Sequence, residues 1–290
     1  MKHFTLEIER TMAAPSSLLK TMPFTPAKMD AYVLDSYESF RPERTRPALI
    51  ICPGGGYSHT SVREAEPIAI KFNSLGFHTF VLYYHVAPYE YPTALCELAS
   101  AIRLVREHAK EWNINPEQIA VAGFSAGGHL AASLCTSYRK DWLLGALNAS
   151  EEEIAPNACV LSYPVITSGE FGHQGSFENL LGIHTKEDRA KKYKQDLLEL
   201  VSLEKQVTDA VPPTFLWHTY ADDAVPVENS LLYAASLCSA GVLTELHIFP
   251  FGCHGMSLAT EETSDKEGNQ IQEECAIWPE LAARFLRQVL

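Results

Sequence analysis

The stretch Ile119-Ala120-Val121-Ala122-Gly123-Phe124-Ser125-Ala126-Gly127 decides the reading of this chain. Four apolar residues fit a buried strand. A Gly-x-Ser-x-Gly turn follows, and a helical pattern then runs from Gly127 to Ser137. A strand, a turn and a helix around that string give it physical meaning. The glycines permit a sharp turn. A serine held there is exposed at the top of the strand, and the helix N-terminus supplies backbone N–H groups and positive potential. The five letters alone are common by chance, so their placement carries the weight.

Working outward, short and nearly continuous apolar runs predict strands at Ala48–Cys52, Thr79–Tyr84, Ile119–Gly123, Ala158–Ser162, Thr214–His218 and Glu245–Phe249. Helical patterns fit Ala65–Leu75, Ala94–Trp112, Gly127–Ser137, Glu228–Ala240 and Pro279–Val289. This alternation predicts an α/β fold, with a mostly parallel central sheet flanked by helices on both faces. Its chemistry is expected at the carboxyl ends of the strands. A length of 290 residues suits a single domain over 1–290. The Pro-rich start, with Pro15, Pro23 and Pro26, reads as an irregular arm. From about 163 to 210 the alternation breaks into a Gly/His/Ser-rich loop and a charged helical stretch near Lys186–Glu204. Insertions of this kind often cover an active site.

Composition narrows the partners. A formal net charge of −13 argues against a nucleic-acid or anionic-membrane surface, which needs clustered Lys and Arg. The acidic runs Glu151-Glu152-Glu153 and Glu261 to Glu274 read as solvated loops. No leader-like segment and no run of about 20 apolar residues is present, so a soluble, cytoplasmic protein is expected. The seven cysteines are scattered without a Cys-x-x-Cys pair and read as buried reduced thiols. No metal or organic cofactor is expected. The oligomeric state is left open, a homo-oligomer included.

A serine hydroxyl is a poor nucleophile unless a base takes its proton, and the base needs an orienting carboxylate. Two later strand ends offer these groups. Trp217-His218-Thr219-Tyr220-Ala221-Asp222-Asp223 leaves one strand with two aspartates, of which a turn-forming role suits Asp223. Phe251-Gly252-Cys253-His254-Gly255 follows the final strand, and His254 alone among the histidines lies between the last strand and the last helix. A fourth element, Cys52-Pro53-Gly54-Gly55-Gly56-Tyr57, follows the strand Ala48–Cys52. Its glycines let backbone N–H groups face an oxyanion, with Gly55, Gly56 and Ala126 as the expected donors. A phosphate loop would require a Lys and a Ser or Thr in register, which are missing.

On these residues the chain resembles the acetyl-esterase and feruloyl-esterase-like branch of the α/β-hydrolases, related to the hormone-sensitive-lipase type. The likeness extends to Pro53-Gly-Gly-Gly-Tyr57, Arg63-Glu-Ala-Glu-Pro67, Ser162-Tyr-Pro-Val-Ile166 and Val225-Pro-Val-Glu-Asn-Ser230. It departs from the His-Gly-Gly-Gly lipase pattern at Pro53. The resemblance implies a serine carboxylic-ester hydrolase that takes short acyl, acetyl-type or aromatic-acyl esters of sugars or small alcohols. It also favours Asp222 as the acid, because such esterases place it four residues before a proline like Pro226. Ser125, Asp222 and His254 are then the catalytic set. His173 and Ser176 are implied as substrate-binding residues, with loop stabilisation equally open, and Tyr57 reads as pocket wall or as packing. An arylformamidase-like amidase on the same triad, and a non-catalytic binding protein on the same fold, stay open as rivals.

Overall fold

The computed structural model describes residues 1–8, 25–37, 39, 41 and 43–290. Eight strands form one sheet: β1 (Lys2–Ile8), β2 (Ala27–Val33), β3 (Arg46–Cys52), β4 (His78–Tyr83), β5 (Ile114–Phe124), β6 (Ala158–Ser162), β7 (Thr214–Thr219) and β8 (Thr244–Phe249). Their spatial order is β1-β2-β4-β3-β5-β6-β7-β8. From β4 to β8 every neighbour is parallel, whereas β1 pairs with β2, and β2 with β4, in antiparallel register. The α/β expectation holds.

Strand β3 shows why the parallel strands read as unbroken apolar runs. Ala48, Ile50 and Cys52 enter the core on one face, and Leu49 and Ile51 enter the core on the other. The first core packs the sheet against helices Thr93–Glu107, Ala126–Ser137 and Glu228–Ser239, through residues such as Leu98, Leu130 and Leu237. The second packs it against Glu66–Ser74 and Trp278–Val289, through Ile68, Phe72, Trp278 and Phe285.

Four expectations need correction, the first being that Cys238 is exposed and Cys253 only partly buried, whereas the other five cysteines are buried. The start of the chain supplies β1 and β2; Pro26 immediately precedes β2, and Pro15 and Pro23 lie outside the described residues. Both strands carry polar residues at alternate positions, such as Lys28 and Asp30, so a search for continuous apolar runs passes over them. The long helix expected over Ala94–Trp112 is two, Thr93–Glu107 and Ala109–Trp112, separated at His108. Glu151-Glu152-Glu153 form a short helix, Glu151–Ile154, where the Ser150 N–H donates to Glu153 Oε2 at 2.7 Å. The segment from 163 to 210 contains helices Gln174–Leu181, Lys186–Ala190 and Lys192–Leu200 and no strand.

Candidate active site

Strand β5 delivers Ser125 into a turn with φ 52° and ψ −118°, a region that side-chain-bearing residues rarely adopt. Close packing on every side imposes that turn. A Cβ on Gly123 would stand 2.1 Å from the Gly127 carbonyl oxygen, and one on Gly127 would stand 2.1 Å from the Cys52 carbonyl oxygen. The helix behind therefore touches both its own strand and β3, and Ser125 is left 7% exposed.

Two loops bring polar groups to that serine. His254, beyond β8, places Nε2 2.8 Å from Ser125 Oγ and Nδ1 2.8 Å from Asp222 Oδ2. A carboxylate only accepts, so Nδ1 carries the proton and Nε2 is free to accept from the hydroxyl. Asp222, beyond β7, is fixed at its other oxygen by the N–H groups of Ala224 at 3.0 Å and Val225 at 2.8 Å. Burial pushes its carboxyl up, but hydrogen bonds and charge from His218 and His254 outweigh burial and hold it well below the ordinary carboxylate range. The neighbouring Asp223 instead accepts the backbone N–H of His254 at 3.0 Å, so it holds the loop and not the imidazole.

The glycine loop adjoins Ser125, where a Cβ on Gly54 would stand 3.0 Å from Ser125 Cβ, and each of its carbonyls is tied down. Pro53 O accepts from the Tyr84 hydroxyl at 2.6 Å. Gly54 O accepts from Ser61 N at 2.9 Å, and Gly55 O from Ser58 N at 3.0 Å and Ser58 Oγ at 2.9 Å. Gly56 O accepts from Asn179 Nδ2 at 2.8 Å. In a planar trans peptide the N–H points opposite to the carbonyl. Tying Gly54 O and Gly55 O to the turn at 58–61 therefore turns the N–H groups of Gly55 and Gly56 to the other side. Ala126 opens its helix, so its N–H has no intrahelical acceptor, and its partner carbonyl on Ser125 accepts from Val165 N at 3.0 Å. Gly55, at φ 122°, has no room for a side chain, since a Cβ would sit 2.2 Å from the His59 carbonyl oxygen.

The remaining sequence-predicted residues divide. Tyr57 is buried beneath the loop, its hydroxyl 2.9 Å from His129 Nδ1, and so belongs to the packing reading. His129 Nε2 in turn donates to the Val201 carbonyl at 2.9 Å. Ser176 is buried beside Gly56 and bonds His173 Nδ1 at 2.8 Å. His173 is half-buried, and burial, followed by the nearby His254, lowers its pKa. The 163–210 segment therefore meets the glycine loop through Ser176 and Asn179.

Three residues at the site escaped the sequence reading. Buried His218 places Nε2 3.2 Å from Asp222 Oδ2 and 3.0 Å from Val225 O, with Nδ1 2.8 Å from Ser230 Oγ. Asn229 uses its whole amide: Oδ1 accepts from Ile166 and Thr167, and Nδ2 donates to Phe171 and Pro226. Glu64 is buried behind Gly54. Glu64 and Asn229 lie in stretches that carry the family likeness, which marked the stretches without giving either residue a role, and His218, at the end of an apolar strand run, has no distinguishing sequence signal. Among the described residues no group of three or more His, Cys, Asp or Glu side chains is arranged to hold a metal, and no helix is long and apolar enough to cross a membrane.

A mostly parallel sheet carrying a hydrogen-bonded Ser–His–Asp chain at its strand ends defines an α/β-hydrolase. Within that class the chain belongs to the BD-FAE family, whose model matches residues 34–237. It is 35% identical to endo-1,4-beta-xylanase B of Butyrivibrio fibrisolvens over 75% of this chain and 33% of that protein. It is 32% identical to an acetylxylan esterase of Xylanibacter ruminicola over 73% of this chain and 42% of that one. The chain thus spans less than half the length of these relatives. Among solved structures, an acetyl ester-xyloside bifunctional hydrolase from Caldicellulosiruptor lactoaceticus superposes with a TM-score of 0.78 at 35% identity, covering 99% of this chain and 96% of that one. A carboxylesterase from Lactobacillus plantarum gives 0.82 at 29% identity, covering 99% and 98%.

Proposed function

We propose that this chain is a serine carboxylic-ester hydrolase acting on short acyl, acetyl-type esters, with acetylated xylo-oligosaccharides as the favoured substrates. The observation that carries the reading is the unbroken chain Ser125 Oγ, His254, Asp222, with 2.8 Å at each link, beside the N–H groups of Gly55, Gly56 and Ala126. The sugar class rests on the names of the relatives. Ser125 Oγ attacks the ester carbonyl as His254 Nε2 takes its proton, and Asp222 stabilises the imidazolium that forms. The oxyanion is received by the three backbone N–H groups. His254 then protonates the departing alcohol, and afterwards activates the water that releases the acid and restores Ser125. The 163–210 segment forms one wall of the site, where the half-buried His173 faces the substrate and the buried Ser176 orients that imidazole through the 2.8 Å bond to Nδ1.

The test is kcat/KM on p-nitrophenyl esters of rising chain length, run beside acetylated xylo-oligosaccharides and N-formylkynurenine. The expected maximum lies between acetyl and butyryl, with a steep fall by octanoyl. A matching apolar groove would add about 0.8 kcal/mol per buried methylene and reverse that slope, so a maximum at octanoyl or beyond rejects the short-acyl reading. Faster turnover of N-formylkynurenine than of every ester would favour the amidase. Failure of a fluorophosphonate to label Ser125 would favour a binding protein.

A further inference from the structure

Glu64 stands where a carboxylate is expensive. It is 3% exposed, and its two hydrogen bonds come from neutral donors: the Gly54 N–H reaches Oε2 at 2.8 Å, and the Tyr163 hydroxyl reaches Oε1 at 2.7 Å. Burial deprives a carboxyl group of water, so it must be held by fixed donors. Its location shows what the side chain joins. The same Tyr163 oxygen accepts the backbone N–H of Ser257 at 2.9 Å, three residues beyond His254, and the Tyr163 ring packs edge-on to the His254 ring with centroids 5.1 Å apart. On the other side, a Cβ on Gly54 would stand 2.7 Å from Glu64 Oε2 and 3.0 Å from Ser125 Cβ, so only the bare glycine separates the carboxylate from the serine. Burial, followed by the Glu64 carboxylate, pushes the Tyr163 phenol far up, which keeps it protonated and donating.

We propose that Glu64 is a positioning residue that couples the two halves of the site: through Gly54 it sets the glycine loop, and through Tyr163 and Ser257 it sets the loop that carries His254. This rests on Ser125 being the nucleophile, as proposed above. Glu64 touches neither substrate nor reacting atoms. It acts by keeping the oxyanion donors and the imidazole in register with one serine, and misplacement of about 1 Å at such a site costs on the order of 10²-fold.

The test is a double-mutant cycle with Glu64→Ala and Tyr163→Phe, read on p-nitrophenyl acetate. Each variant is expected to lower kcat by about 10- to 100-fold with KM changed less than about threefold. The double variant is expected to lose no more than the worse single one, because both act through one chain of bonds. Glu64→Gln can still accept from Gly54 N–H and donate to the Tyr163 oxygen, so it is expected to recover most of kcat. The rate at which a fluorophosphonate modifies Ser125 is measured on the same variants. That reaction uses the oxyanion donors without any ester, so a wrong substrate class leaves it legible, and an unreactive wild-type Ser125 removes the basis of the proposal. A folded Glu64→Ala within twofold of wild type in kcat and labelling overturns the proposal, as do additive losses in the cycle. Should Glu64→Ala fail to fold, Tyr163→Phe decides, because it breaks the link to both Glu64 and Ser257, and a folded Tyr163→Phe within twofold of wild type in kcat and labelling overturns the proposal.

Discussion

In one half of the site the groups proposed to act are backbone N–H donors, held through their own carbonyls by several separate bonds. In the other half they are two side chains, His254 and Asp222, joined end to end. The difference governs how each half fails. A peptide N–H is not removed by substitution and is displaced only when its supports are lost, whereas one atom exchanged in Asp222 reverses the donor and acceptor pattern of the whole chain.

The largest effect is therefore expected on the side-chain half. Asp222→Asn forces the wrong tautomer on His254 and should lower kcat by on the order of 10⁴-fold, by analogy with the serine-protease triad. Asp223→Asn retains an acceptor for the His254 N–H and should cost less than about tenfold. Steady-state kinetics on p-nitrophenyl acetate compares the two, and a reversed order would move the acid to Asp223.

On the backbone half, single supports should matter far less. Tyr84→Phe removes the hydroxyl on Pro53 O, and Asn179→Ala removes the amide on Gly56 O. Each such hydrogen bond is worth about 1 kcal/mol net, so kcat should fall by roughly fivefold in either variant. Loss of an actual oxyanion donor costs on the order of 10²- to 10³-fold, so a loss of that size in Tyr84→Phe would mean that the loop hangs on one support.

Acidification should act first through two buried histidines. Burial holds the His129 imidazole, which supports Tyr57 beneath the glycine loop, down to about 4. It also lowers His78 to about 4, with Arg46 contributing. Unfolded histidines bind protons below about pH 6.5, so between 6.5 and 4 the unfolded chain holds more protons and stability falls with pH. At pH 5 the loss should be roughly 2 kcal/mol for each histidine relative to pH 7. The Asp222 carboxyl is depressed as well and acts in the same direction in a lower window: its contribution is full above the ordinary carboxylate range and is lost progressively as pH falls from that range to its own lowered value. Urea unfolding at pH 7, 6 and 5 checks this, and a stability that is flat over that range would contradict the neutral, buried state of both histidines.

How much of this could be read in advance depends on the range of the interaction. Local patterns carried the parallel strands, the serine turn and the glycine loop, because a buried strand needs apolar residues on both faces and a tight turn needs glycine, whereas the choice of Asp222 over Asp223 rested on the family resemblance. The antiparallel pair β1 and β2 was missed because one-sided burial leaves polar residues at alternate positions. Tyr57 could not be resolved, since a tyrosine beside a loop reads the same whether it lines a pocket or packs beneath one.

By itself the sequence determined which side chains end up at strand ends and in what order along the chain: Ser125, Asp222, His254 and the glycines at 54–56. Only the tertiary structure decided what holds them. Glu64 meets Tyr163 across 99 residues, and Tyr163 meets Ser257 across another 94. A buried polar group is satisfied by whichever donors the sheet order sets beside it, and that order follows from packing both faces of the whole sheet at once.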